Sequence, residues 1–172
     1  MADRQLVISS DQLRATVSAL GARIARDYAG KDLVLIGVLN GAFIFLADLA
    51  RSITIPHQID FIRVASYGQN DSSSGTIRLS KDVELDLRHR HVLLVEDIVD
   101  TGTTLAWLTE KFKNQQTASV KICALIDKKE RRKTEVRLDY VGFAQDGFLV
   151  GYGLDYAEQY RSLPEIYSLT FP

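Results

Sequence analysis

The sequence predicts an α/β fold, a parallel, twisted sheet flanked by helices. Two observations lead there. Leu33–Val38 and Val92–Val95 are continuous apolar runs, without the polar alternation of a half-exposed strand, and read as strands covered on both faces. Stretches of helical periodicity follow each run and precede the first, and this alternation of strand and helix builds a parallel sheet. At 172 residues and 46% apolar, the chain suits one domain with a sizeable core, expected to span 1–172.

Composition narrows the function. Lys+Arg total 21 against 22 Asp+Glu, a formal charge of −1, so nothing global attracts nucleic acid or an anionic membrane. The lone Cys123 sits in the apolar run Ile122–Ile126 and reads as a buried strand thiol. The start M-A-D-R-Q lacks an apolar signal segment and no stretch approaches 18 apolar residues, which predicts a cytoplasmic protein.

Taken in order, residues 9–29 predict an amphipathic helix, with Leu13, Val17, Leu20, Ile24 and Tyr28 on one face, Ser9 and Gln12 as a capping box and Gly30 as the stop. The strand at Leu33–Val38 runs into Leu39-Asn40-Gly41-Ala42 and a helical stretch with Phe43, Phe45, Leu46 and Leu49. A glycine-bearing turn between strand and helix reads either as an ordinary turn or as an anion site at the sheet's C-terminal edge. His57–Val64 alternates as a strand. The stretch Ser66–Gly75, S-Y-G-Q-N-D-S-S-S-G, is a surface loop or a lid over a ligand. Thr76–Leu79 returns as the second arm of a hairpin. His89 and His91 have no third ligand beside them and read as a solvated turn.

The stretch V-L-L-V-E-D-I-V-D-T-G-T-T, residues 92–104, carries the chemistry. Three carboxylates, Glu96, Asp97 and Asp100, follow the strand, then Thr101, Gly102, Thr103 and Thr104 lead into a helix over about 103–114. Amides at a helix N-terminus, together with threonine hydroxyls, suit a phosphate monoester. The adjacent acids can accept from sugar hydroxyls or help to hold a hydrated Mg²⁺. A phosphorylated sugar fits better than a triphosphate tail, because neither G-x-x-x-x-G-K-[ST] nor G-x-G-x-x-G occurs.

Beyond it, Trp107 reads as core or interface packing. Ser119–Ile126 is a further strand, ending in the charged run Asp127–Lys133, either a soluble turn or a weak nucleic-acid patch. Val136–Phe143 predicts another strand. Phe148–Tyr156 is dense in aromatics, as a packed edge or a platform for a flat heterocycle. Leu163–Pro172 closes the chain as a final strand.

The central stretch resembles the phosphoribosyl pyrophosphate motif of type I phosphoribosyltransferases, and its form E-D-I-V-D-T-G resembles the hypoxanthine-guanine branch. V-G-Y-G-L-D-Y-A-E-Q-Y-R resembles the C-terminal segment of the same enzymes, and the likeness runs from about residue 7 to 169. The resemblance implies a core over about 10–140, a hood from residues 1–8 and about 141–172, and a flexible β-hairpin lid. It also implies Mg²⁺-dependent transfer of the 5-phosphoribosyl group to N9 of a 6-oxopurine, by a homodimer or homotetramer.

Residue by residue, it implies that Leu39, Asn40 and Gly41 bind pyrophosphate through the backbone, with a cis peptide between Leu39 and Asn40. Asn40 stands where most of the family has lysine or a similar long residue, so its side chain is not counted on. Ser66 and Tyr67 match the closing loop. Thr101–Thr104 would hold the 5-phosphate, Glu96 and Asp97 the ribose hydroxyls and metal, and Asp100 would take the proton at purine N7. Lys128 would read O6 and Phe148 would stack on the purine, while Leu149 would contact its edge through the backbone. Asp155 would lie near the 2-position and a second Mg²⁺, and Arg161 would clamp pyrophosphate. A xanthine-preferring enzyme and a nucleotide-sensing RNA- or DNA-binding regulator on the same fold remain open alternatives.

Overall fold

The computed structural model describes residues 3–65 and 77–171; Ser66, Tyr67 and the expected lid lie outside them. The elements are β1 (Asp3–Ile8), α1 (Ser10–Asp27), β2 (Leu33–Leu39), α2 (Phe43–Ser52), β3 (His57–Ala65), β4 (Arg78–Lys81), β5 (His91–Val99), α3 (Thr103–Lys113), β6 (Ser119–Asp127), β7 (Tyr140–Ala144), β8 (Leu149–Val150) and β9 (Ile166–Thr170).

A six-stranded sheet runs β4-β3-β2-β5-β6-β7, with every neighbouring pair parallel except β3–β4, which forms the expected antiparallel hairpin. The register aligns the strand starts, Leu33 with both His57 and His91, and His91 with Ser119. The C-terminal ends therefore share one edge, where a parallel sheet opens its crevice.

Alternation along the strands supplies two cores, because successive side chains point to opposite faces. Leu33, Leu35, Leu93, Val95, Cys123 and Leu125 pack with α1 and α2, while Val34, Ile36, Val92, Leu94, Ile122 and Ala124 pack with Leu105, Leu108 and Phe112 of α3. Trp107 lies against the second core, half-buried. Ser9 and Gln12 close the expected capping box, each side chain meeting the other's backbone amide.

A second sheet, β1-β9-β8, is antiparallel and joins the two ends of the chain. Among the described residues no helix is long and apolar enough to cross a membrane.

Two sequence expectations need correction. Glu96 and Asp97 do not follow a strand that ends at Val95; β5 continues to Val99, because its pairing with β6 persists to Val99 opposite Asp127. The strand expected from Val136 begins only at Tyr140. Residues before it are drawn across the start of α3, where the amides of Lys133 and Thr134 donate to the Thr101 carbonyl at 2.9 and 3.0 Å.

Candidate active site

The C-terminal edge of the sheet gathers the candidate residues. Helix α3 starts from Gly102, whose φ of +81° is open to glycine at little cost, and no side chain caps it. A Cβ there would overlap the Thr134 carbonyl. Apart from a long contact of the Thr103 amide with Thr101 Oγ1 at 3.5 Å, the first amides of α3 lack the acceptor that a capping Ser or Asp supplies, which leaves them for an anion. Thr103 Oγ1 lies 3.2 Å from Thr134 Oγ1. A cavity of about 150 Å³ is bounded by Glu96, Asp100, Thr101, Gly102 and Thr104 among others. Of the residues expected to hold a phosphate and a sugar, Glu96, Thr101, Gly102 and Thr104 therefore meet in one hollow, while Asp97 and Thr103 are not part of its lining.

Glu96 on this hollow and its chain neighbour Asp97 are both buried, at 9% and 8% exposure. Glu96 accepts the Asp97 amide at 3.0 Å, and Asp97 accepts the Ile98 amide at 2.9 Å. Burial, and then the Asp97 carboxylate beside it, hold the Glu96 carboxyl well above the usual carboxylate range. The Asn40–Gly41 loop lies directly on Asp97: a Cβ on Gly41 would overlap its carboxylate. The Leu39–Asn40 peptide is cis. α2 also starts without a side-chain cap, from Ala42.

Asp100 has one oxygen 3.4 Å from the Arg131 guanidinium, while its buried Oδ1 has no hydrogen-bond partner among the described residues. A buried carboxylate oxygen without a donor is costly, and such a group marks a place where a ligand or solvent completes the set.

The base-side residues converge from farther apart in the chain. Lys128 is 8% exposed, its ammonium 2.8 Å from Glu130 and its amide donating to Val99 O at 3.0 Å. Asp146 accepts the amides of Lys129 and Glu130, and Gln145 N donates to Asp127 O, so the turn before Phe148 is tied to the loop of Lys128. Phe148 is exposed and meets Tyr156 and Phe171 edge-on, at centroid distances of 5.5 and 5.6 Å. Leu149 is buried in β8 opposite Ser168.

Arg161 donates to Gly153 O at 2.8 Å and pairs with Asp155 and Glu158 at 3.0 and 3.1 Å. Gly153 in turn leaves no room for a Cβ against the Gly41 carbonyl. Arg161 is thereby joined to the Asn40–Gly41 loop through one residue. Asp155 is engaged by Arg161 and the Glu158 amide and does not join Glu96 and Asp97 in a ligand cluster; among the described residues no three His, Cys, Asp or Glu side chains form one.

Two participants escape sequence reading. Phe171, in the tail, completes the aromatic trio with Phe148 and Tyr156, and nothing local marks it. Arg132 belongs to a run that reads as surface charge, yet its side chain is 12% exposed and turned inward. The abrupt start of that run at a strand's C-terminal end is the only signal that part of it faces the site.

The chain is similar to known proteins over most of its length. The model of the phosphoribosyl transferase domain matches residues 9–157. The chain is 45% identical to hypoxanthine-guanine phosphoribosyltransferase of Streptococcus pneumoniae over 164 residues, covering 95% of this chain and 91% of that one. It is 40% identical to hypoxanthine phosphoribosyltransferase of Salmonella typhimurium, covering 94% and 93%. The crystal structure of a hypoxanthine-guanine phosphoribosyltransferase from Bacillus anthracis superposes with a TM-score of 0.90 at 43% identity, over 96% of this chain and 98% of that one.

Proposed function

The chain belongs to the phosphoribosyl transferase family, and from that premise we propose that it transfers the 5-phosphoribosyl group of 5-phosphoribosyl 1-pyrophosphate to N9 of hypoxanthine or guanine. The product is a purine nucleotide, and the role is salvage of free bases. The observation that carries the assignment of roles is the hollow at residues 96–105, where an uncapped helix start, the buried Glu96 and Asp100 border one small volume.

In this reading the amides and hydroxyls of Thr101–Thr104 receive the 5-phosphate, far from the bond that breaks, so its binding energy serves to fix the ribose in place. Glu96 and Asp97 accept from the 2- and 3-hydroxyls. The same pair fits Mg²⁺, which takes one or two carboxylates and completes its shell with water and substrate oxygens. The raised Glu96 carboxyl supports the fit, since a cation beside it would relieve both the desolvation and the repulsion. When bound, Mg²⁺ supplies positive charge against the departing pyrophosphate. Asp155 is the proposed outer contact to a second ion.

As the C1–O bond to pyrophosphate breaks and the C1–N9 bond forms, Asp100 holds the proton leaving the purine, at N7 or through it. Backbone amides of Leu39–Gly41, with Arg161, receive the pyrophosphate charge, and Ser66 and Tyr67 close over it to exclude water. Lys128, released from Glu130, donates to O6, which disfavours adenine because its 6-amino group is a donor. Phe148 stacks on the base and the Leu149 backbone meets its edge.

A nucleic-acid-binding role finds little support in the basic run 128–133. Lys128 is buried and Arg132 half-buried, both ion-paired, so of the run's cations only Lys129, Arg131 and Lys133 are exposed to solvent, and Lys129 and Arg131 lie beside Asp127 and Asp100. The polyanionic substrate and product suit a cytoplasmic enzyme, and a homodimer or homotetramer is the proposed assembly.

The deciding experiment supplies hypoxanthine, guanine, xanthine and adenine separately, with phosphoribosyl pyrophosphate and Mg²⁺, and follows nucleotide formation by absorbance. Turnover of hypoxanthine or guanine that EDTA abolishes, with adenine inert, is expected. Turnover of adenine alone, or of no base, would overturn the proposal.

A further inference from the structure

Arg132 touches both halves of the site at once. Its guanidinium donates to Asp100 O at 3.0 Å, Val99 O at 3.3 Å and Lys128 O at 3.2 Å, and pairs with Asp127 at 2.5 Å. Both members of that pair are 12% exposed. Val99 and Asp127 are the last residues paired between β5 and β6. Val99 O still accepts the Lys128 amide, whereas Asp100 O and Lys128 O accept no backbone amide among the described residues, and the planar fork of one arginine meets all three. The stem of Arg132 also lies against the phosphate turn, since a Cβ on Gly102 would sit 3.1 Å from its Cδ.

We infer that Arg132 is a positioning residue that couples base recognition to phosphoribosyl binding, by holding the backbones of Asp100, Gly102 and Lys128 in a single register. This rests on the roles proposed above for Asp100 and Lys128. The geometry requires a guanidinium. An ammonium at the end of a lysine is a point charge and cannot reach three carbonyls and a carboxylate in one plane. With lysine there, the two strand ends are free to shift independently, and a misplacement of about 1 Å at reacting groups can cost roughly 100-fold in rate.

The test uses the full-length protein. Arg132→Lys is expected to lower kcat by about 10- to 100-fold and to raise the KM for hypoxanthine. In a Lys128→Ala background the same substitution should still lower kcat but should not raise the purine KM further, because the path through Lys128 is already gone. A loss confined to thermal stability or folded fraction, with kcat per folded molecule and purine KM unchanged, would overturn the inference. Multiplicative effects on purine KM in the double variant would do the same.

If Arg132→Lys does not fold, Asp127→Asn loosens the fork while keeping the guanidinium. It should then show a smaller fall in kcat with a raised purine KM, and unchanged kinetics in it would overturn the inference. Asp100→Asn and Lys128→Ala alone separate the two levels. Near-normal kinetics in both would remove the functional reading itself, whereas losses in both with a normal Arg132→Lys would remove only the coupling.

Discussion

Asp60 on β3 and Glu96 on β5 are almost equally hidden, at 7% and 9% exposure, yet the fold treats their charges in opposite ways. Burial opposes ionisation of both. Around Asp60 it is outweighed: the amides of Leu85, Phe61 and Glu84 donate to the carboxylate and the Lys81 ammonium lies 3.5 Å away, so its carboxyl is held below the usual range. Glu96 receives the neighbouring Asp97 amide and faces another acid, so its carboxyl is pushed up. Asp60 is a knot that ties the segment after β4 to the sheet. The acids of β5 are left short of partners, and that shortage separates a site from a structural feature of equal burial.

The sharpest way to break this comparison is Asp100→Asn. If the bare oxygen of Asp100 serves proton transfer, kcat should fall by about 10²–10⁴-fold with much smaller changes in either KM, while thermal stability holds or rises. A near-normal kcat in steady-state assays would place the proton elsewhere.

Gly41→Ala tests the crowding around Asp97 from the other side. The added methyl has no room against the carboxylate, so the loop must move by a cost of about 1–3 kcal/mol. The KM for phosphoribosyl pyrophosphate should rise roughly 5- to 100-fold by that measure. The KM for hypoxanthine should change far less.

Asp60→Asn is the structural counterpart. It should cost about 1–3 kcal/mol in denaturant unfolding and leave kcat unchanged. Because the folded carboxyl titrates below its unfolded value of about 3.9, the unfolded chain binds the extra proton between the two values. The contribution is thus present above about pH 4 and is lost as pH falls through the folded value. The stability gap between wild type and variant should therefore narrow in acid; a gap constant from pH 7 to pH 3 would contradict the assignment.

The smallest effect is expected at Phe171. Its ring braces Phe148 edge-on, an arrangement worth about 0.5–1.5 kcal/mol. Phe171→Ala should therefore raise the purine KM about 2- to 10-fold and spare the KM for phosphoribosyl pyrophosphate. Equal changes in both would show that the tail supports the fold as a whole.

The hollow at residues 96–104 was legible because acids, glycine and threonines are contiguous in the chain, and a strand followed by a helix is enough to bring them together. The capping box of α1 was readable for the same reason, its partners being three residues apart. Val136 and Leu138 misled because their alternation is real, but the stretch bends over Thr101 instead of entering the sheet. Arg132 looked like solvated charge because its three carbonyl partners belong to two strand ends that only the sheet places side by side.

By itself the sequence determined the α/β class, the strands and helices with their buried faces, and the acid–threonine chemistry of one turn, since each depends on spacing within a few residues. The tertiary structure alone decided how far β5 runs, which carboxylates find donors, and which arginine turns inward. Those outcomes depend on strand register and on burial shared between segments about 24 to 33 residues apart, and local pattern carries neither.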